Sequence, residues 1–151
     1  MSALDWLKQQ ASNIQQTLGD EMTRFKNRDL MEGVVAGCAM VGYANGSVSA
    51  AEKQKMMGFL QSSDAMKVYD INQVLDTFGR FSRQFEFDTD IGQAEALKVI
   101  GKLRNKPDEA RLLVRVCCAI GSSDGDFEDS ERQAARSICR ELGLDPADFY
   151  L

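Results

Sequence analysis

Asn45-Gly46-Ser47-Val48-Ser49-Ala50-Ala51-Glu52-Lys53 is met again, in the same chemical order, as Asp124-Gly125-Asp126-Phe127-Glu128-Asp129-Ser130-Glu131-Arg132. The two strings lie 79 residues apart, and the same offset places Cys38 on Cys117 and Val41 on Ile120. Seven similar pairs at one spacing mark an internal repeat, and self-similarity at a fixed period is the sign of a duplicated supersecondary unit. In each copy an apolar helix runs into an Asn-Gly or Asp-Gly turn, and a second helix leaves it. Glycine supplies the positive φ of a tight turn, the preceding Asn or Asp tolerates that geometry, and Val48 or Phe127 plugs the turn into the core. Two such hairpins, near residues 34–66 and 113–145, bury their apolar faces most simply against each other about a pseudo-twofold axis.

Working outward, the apolar residues Leu4, Leu7, Ala11, Ile14, Leu18, Met22 and Phe25 recur at spacings of three and four, which predicts an amphipathic N-terminal segment over residues 1–26. Gly19 is a natural place for it to divide. Asn27 caps the helix through Leu30, Val34, Cys38 and Val41, which is apolar on most sides. Ser49 with Glu52 forms a capping box for the next helix. Asp70 caps a helix with the face Val74, Leu75, Phe78, Phe81 and Phe85. Asp88 and Asp90 precede one with the expected face Ile91, Ala94, Leu97, Ile100 and Leu103. Pro107 opens the helix of Leu112, Leu113, Val116, Cys117 and Ile120, Gly143 closes the helix of Ala135, Ile138 and Cys139, and Asp145-Pro146 begins a short last turn. No stretch alternates as a strand does. The expected architecture is all-α: a single-domain bundle of about seven to nine helices over residues 27–151, with the N-terminal segment packed across it.

Composition narrows the function. A hydrophobic share of 44% and a charged share of 27% are ordinary globular values. The chain has no histidine, which removes the commonest general base and transition-metal ligand, so catalytic triads and histidine-ligated zinc are excluded. A net charge of -5 opposes a phosphate backbone, so no nucleic-acid partner is expected. Cys38, Cys117, Cys118 and Cys139 form no C-x-x-C pair, sit among apolar residues and read as buried, reduced thiols of a cytoplasmic protein. An alternative, thiol chemistry at Cys117 and Cys118, requires an exposed cysteine of lowered pKa. No run approaches the roughly 18 to 20 apolar residues of a membrane span. Neither an organic cofactor nor a small-molecule substrate is indicated, and the chain is expected not to be an enzyme.

The repeated turns admit two readings. Glu52 and Glu131 sit where a helix-capping carboxylate belongs, a purely structural role. They also take the terminal position of the calcium-loop pattern, with Gly46 and Gly125 at its glycine and Asn45 and Asp124 before it. The match is partial, because the first ligand position is Val41 in one copy and Ile120 in the other. The second copy is still rich in oxygen donors, with Asp124, Asp126, Glu128 and Glu131 close together. If the hairpins pack head to head, Asn45, Glu52, Asp124 and Glu131 converge, and a divalent cation, calcium or another, would relieve the repulsion among their carboxylates.

The residues 44–56, together with Ser123-Asp124-Gly125-Asp126-Phe127, Phe87-Asp88, Ile91-Gly92 and the ending Leu144-Asp145-Pro146-Ala147-Asp148-Phe149, resemble the tellurite-resistance protein TerB family over nearly the whole chain. That resemblance implies an all-helical pseudosymmetric fold, a bacterial cytoplasmic location and an acidic metal-binding surface. It also implies action with other tellurite-resistance proteins, including an integral membrane protein that would hold the chain at the inner membrane. Asn45 stands where the family commonly has Asp, which weakens the first half-site and shifts the weight to Asp124, Asp126 and Glu131. The expected function is a non-catalytic divalent-cation-binding and protein-interaction module; the alternative is a structural adaptor that binds no metal.

Overall fold

The computed structural model describes residues 19–46, 48–63, 66–121 and 127–151. They form seven α-helices: α1 Gly19–Arg24, α2 Arg28–Gly42, α3 Ala50–Ser62, α4 Ile71–Phe87, α5 Thr89–Ile100, α6 Pro107–Gly121 and α7 Asp129–Glu141. Two short 3-10 helices, Gly101–Leu103 and Pro146–Phe149, follow α5 and α7. No strand occurs among the described residues, as the absence of alternation predicts.

The helix starts fall where the sequence puts them. The side chain of Asn27 accepts from Leu30 N at 2.8 Å, that of Ser49 from Glu52 N at 3.1 Å, and that of Asp70 from Asn72 N at 2.8 Å. Asp88 accepts from Asp90 N at 2.9 Å and Asp145 from Ala147 N at 2.9 Å. Each of these bonds satisfies a backbone donor that an α-helix leaves without an internal partner.

Helix α2 is the axis of the molecule. Every residue from Leu30 to Val41 is buried, and α4, α5, α6 and α7 all pack on it. Glu32 lies within this run, and its carboxylate is held by Arg28 at 2.7 Å and Arg80 at 3.5 Å. Burial alone would raise its pKa, but the Arg28 hydrogen bond and the charges of Arg80, Arg28 and Lys102 outweigh it and hold it below the usual value. From the N-terminal segment, α1 contributes Met22, which is fully buried, and Glu21, which pairs with Arg115 of α6 at 2.9 Å. The expected face residues Leu4 to Leu18 lie outside the described residues.

The expected face of α5 needs correction. The residues it buries are Gly92, Ala96 and Ile100, whereas Ile91 is exposed and Leu97 only half-buried. Only Asp88 separates α5 from α4, so the two helices are forced into close approach. A Cβ on Gly92 would lie 2.7 Å from the Phe85 backbone and 2.5 Å from its ring. Only a small residue fits there, so the small-residue row turns inward and the larger Ile91 turns outward.

The two hairpins also differ in depth. Helix α7 buries Ala135, Ile138 and Cys139, while α3 buries only Leu60 and packs chiefly on α4. Replacing Gly92 with Ala is expected to cost about 1–3 kcal/mol in urea denaturation, because the clash is with backbone. Gly58→Ala, where an added methyl meets nothing within 4 Å, is expected to gain about 0.5–1 kcal/mol. A neutral Gly92→Ala would refute this account of the α4–α5 contact.

Candidate functional site

At the C-terminal end of α2 the chain turns through Gly46, whose φ of 95° suits a residue without Cβ. The turn faces the opposite hairpin. The side-chain oxygen of Asn45 accepts a hydrogen bond from the hydroxyl of Ser130 in the first turn of α7, a direct link between the repeats. Beneath it lies a cavity of about 280 Å³. Cys38, Val41, Gly42 and Ile120 line its apolar part, Glu52, Lys55, Met56 and Phe59 of α3 form one side, and Glu128 and Glu131 form the other, with Asn45 alongside.

Two repeat-related pairs, Val41 with Ile120 and Glu52 with Glu131, therefore line one cavity. The offset of 79 relates both pairs. Of the six residues proposed from sequence, Asn45, Glu52, Glu128 and Glu131 line this cavity, while Asp124 and Asp126 lie outside the described residues. Among the described residues no three acidic or cysteine side chains are close enough to hold one ion together.

Both carboxylates that the repeat matches also act as caps. An oxygen of Glu52 accepts from Ser49 N at 3.3 Å, and an oxygen of Glu131 accepts from Glu128 N at 3.1 Å. The two readings of the sequence thus coincide in one place: helix-capping carboxylates that border a common space. Three carboxylates against the single ammonium of Lys55 leave the lining with a formal surplus of two negative charges. The donors are oxygens, which suit a hard cation. The sequence reading missed Lys55 and Cys38 as part of the lining. Lys55 follows Glu52 by three residues on one helix and so shares its face, a signal that was available.

All four cysteines are free and buried. A hydrogen bond with Cys38 and complete burial push the Cys117 thiol well above its ordinary range, and burial does the same to Cys118. Burial pushes Cys139 up to about 11. None meets the condition of an exposed, low-pKa cysteine that thiol chemistry requires. In the folded state Cys117, Cys118 and Cys139 keep their protons above pH 9, where unfolded thiols lose theirs. Stability is therefore expected to be full below pH 9 and to fall between about pH 9 and 11, measured by urea denaturation across that range. Native alkylation by iodoacetamide at pH 8 is expected to be no faster than unfolding, and rapid labelling of the folded protein would overturn this description.

The family profile for tellurite resistance protein TerB matches residues 31–151. The chain is 40% identical over 116 residues to the tellurium resistance protein TerB of Alcaligenes sp, a match covering 77% of this chain and 95% of that protein. No solved structure matches. With the duplicated hairpin, the helical fold and this match in agreement, the chain belongs to the TerB family of tellurite resistance proteins.

Proposed function

We propose that the protein serves tellurite resistance as a non-catalytic module that binds a divalent cation at the junction of its two hairpins and passes that state to protein partners. The observation that carries this reading is that Glu52 and Glu131, equivalent residues of the two repeats, line one cavity with Asn45 and Glu128. Calcium, or another hard divalent ion, would supply the positive charge that this oxygen-rich lining lacks. Asp124 and Asp126, which lie outside the described residues, belong to the proposed donor set by their place in the repeat. Capping and cation binding are compatible roles, since a carboxylate that holds a helix start has two oxygens and several rotamers.

The partners in this reading are other tellurite resistance proteins, including an integral membrane protein at the inner membrane. Support for a protein contact comes from Phe87 and Ile91, which are 81% and 45% exposed across the α4–α5 corner. No helix among the described residues is long and apolar enough to cross a membrane; in this reading the partner holds the chain there.

Calcium, manganese and zinc are added in turn to the full chain while backbone amide shifts are followed. Shifts centred on residues 45–52 and 124–131 are expected, with calcium or manganese preferred to zinc. Glu52→Gln and Glu131→Gln keep a side chain able to cap. Each is expected to weaken binding by about tenfold, the loss of one charged ligand, with little change in stability. Absence of any shift at millimolar metal would leave the structural adaptor as the correct reading.

A further inference from the structure

The opposite end of α2 carries a second opening of contrasting character. A cleft of about 600 Å³ lies between the start of α2, with Lys26 and Asn27 before it, and α4 with Tyr69 before it. Its volume is that of a small-molecule site. The apolar part is supplied by Met31, which is buried, and by Tyr69, whose hydroxyl donates to the Asn27 carbonyl at 3.1 Å and fixes the ring in place. Lys26, Arg28 and Arg80 also line the cleft, against one acid, Asp76.

This concentration of positive charge stands out in a chain whose net charge is -5. Arg28 and Arg80 share the carboxylate of Glu32, but each touches a different one of its oxygens. A guanidinium offers five N–H donors, so one shared carboxylate cannot saturate two of them. The Arg28 side chain is 81% exposed and that of Arg80 44%, which leaves donors facing the cleft and solvent. Glu32 also holds the two cations near each other and offsets one of their two charges, so that with Lys26 and Asp76 three cations stand against two acids. The cleft sits beside the start of α2, a helix of 15 residues whose dipole adds further positive potential.

We propose that this cleft binds a phosphorylated small molecule, its phosphate held by Lys26, Arg28 and Arg80 and its apolar body laid on Met31 and Tyr69. Fork-shaped guanidinium groups match phosphate oxygens in geometry as well as charge. The apolar floor distinguishes the site from a patch that merely attracts ions. The cleft and the acidic cavity share α2 but no lining residue, so either can bind without the other.

The probe is phenyl phosphate, added to the full chain with amide and arginine Nε–H shifts followed by NMR. Shifts are expected at residues 26–31, 69 and 73–80, with none at the acidic turns. Lys26→Gln combined with Arg80→Gln is expected to weaken binding by about tenfold or more, as the loss of charge-assisted hydrogen bonds implies. Asp76→Asn removes the one opposing charge of the lining and is expected to tighten binding by roughly two- to threefold, a gain that misfolding cannot imitate. Inorganic phosphate is expected to bind more weakly than phenyl phosphate, and phenol not at all. The proposal is overturned if phenyl phosphate causes no shift in the cleft, if inorganic phosphate binds equally well, or if Asp76→Asn weakens binding.

Discussion

Helix α2 has no face left for solvent, and the rest of the molecule is arranged by that fact. From Leu30 to Val41 each side chain is buried, so a single apolar stripe packed against one neighbour would not suffice. Four helices from three parts of the chain, α4, α5, α6 and α7, are needed to cover it. The one acid inside this run, Glu32, is tolerated because Arg28 and Arg80 reach it from outside. An ionised carboxylate in such a place without partners would cost several kcal/mol, about the size of a domain's whole margin of stability.

The duplication explains the site at the far end of α2 better than either hairpin does alone. Equivalent residues of two repeats come to line a common space when the hairpins pack together, and Val41 with Ile120 and Glu52 with Glu131 line one cavity. The symmetry is incomplete. Helix α7 is drawn into the core, whereas α3 is held by Leu60, by packing on α4 and by the Lys53–Glu86 ion pair of 2.9 Å. Tyr43 reinforces that corner by stacking on Phe85 and donating to the same Glu86. One side of the acidic cavity therefore stands on a deeply anchored helix and the other on a shallow one, a difference that matters for any ion drawing carboxylates from both.

The charge of the molecule is divided along α2. At its C-terminal end the lining of the cavity is acidic, while at its N-terminal end Lys26, Arg28 and Arg80 surround a cleft. A helix of this length separates its ends by roughly 20 Å, beyond the Debye length at physiological salt, so the two sites hold opposite potentials without neutralising each other. Membership of a tellurite resistance family gives the biological setting, and the proposed cation and phosphate sites give two distinct ways for a small ligand to alter its surface.

By itself the sequence determined the helices, their caps and the duplication. These are local or periodic properties: Asn27, Ser49, Asp70, Asp88 and Asp145 bond to backbone donors within three residues, and the spacing of Cys38, Val41, Gly46 and Glu52 from their counterparts can be counted directly. It also singled out Asn45, Glu52, Asp124, Asp126, Glu128 and Glu131 as one set of candidate ligands, of which Asp124 and Asp126 lie outside the described residues. What tertiary structure alone decided was which faces turn inward and which side chains from distant segments share a space. Periodicity put Ile91 in the core of α5, but the short link at Asp88 brings Phe85 against Gly92, and steric exclusion there outweighs the hydrophobic preference of one isoleucine. The basic cleft was equally illegible in sequence, because Lys26 and Arg28 lie some 50 residues from Arg80 and Asp76, and only the packing of α2 against α4 brings the two groups together.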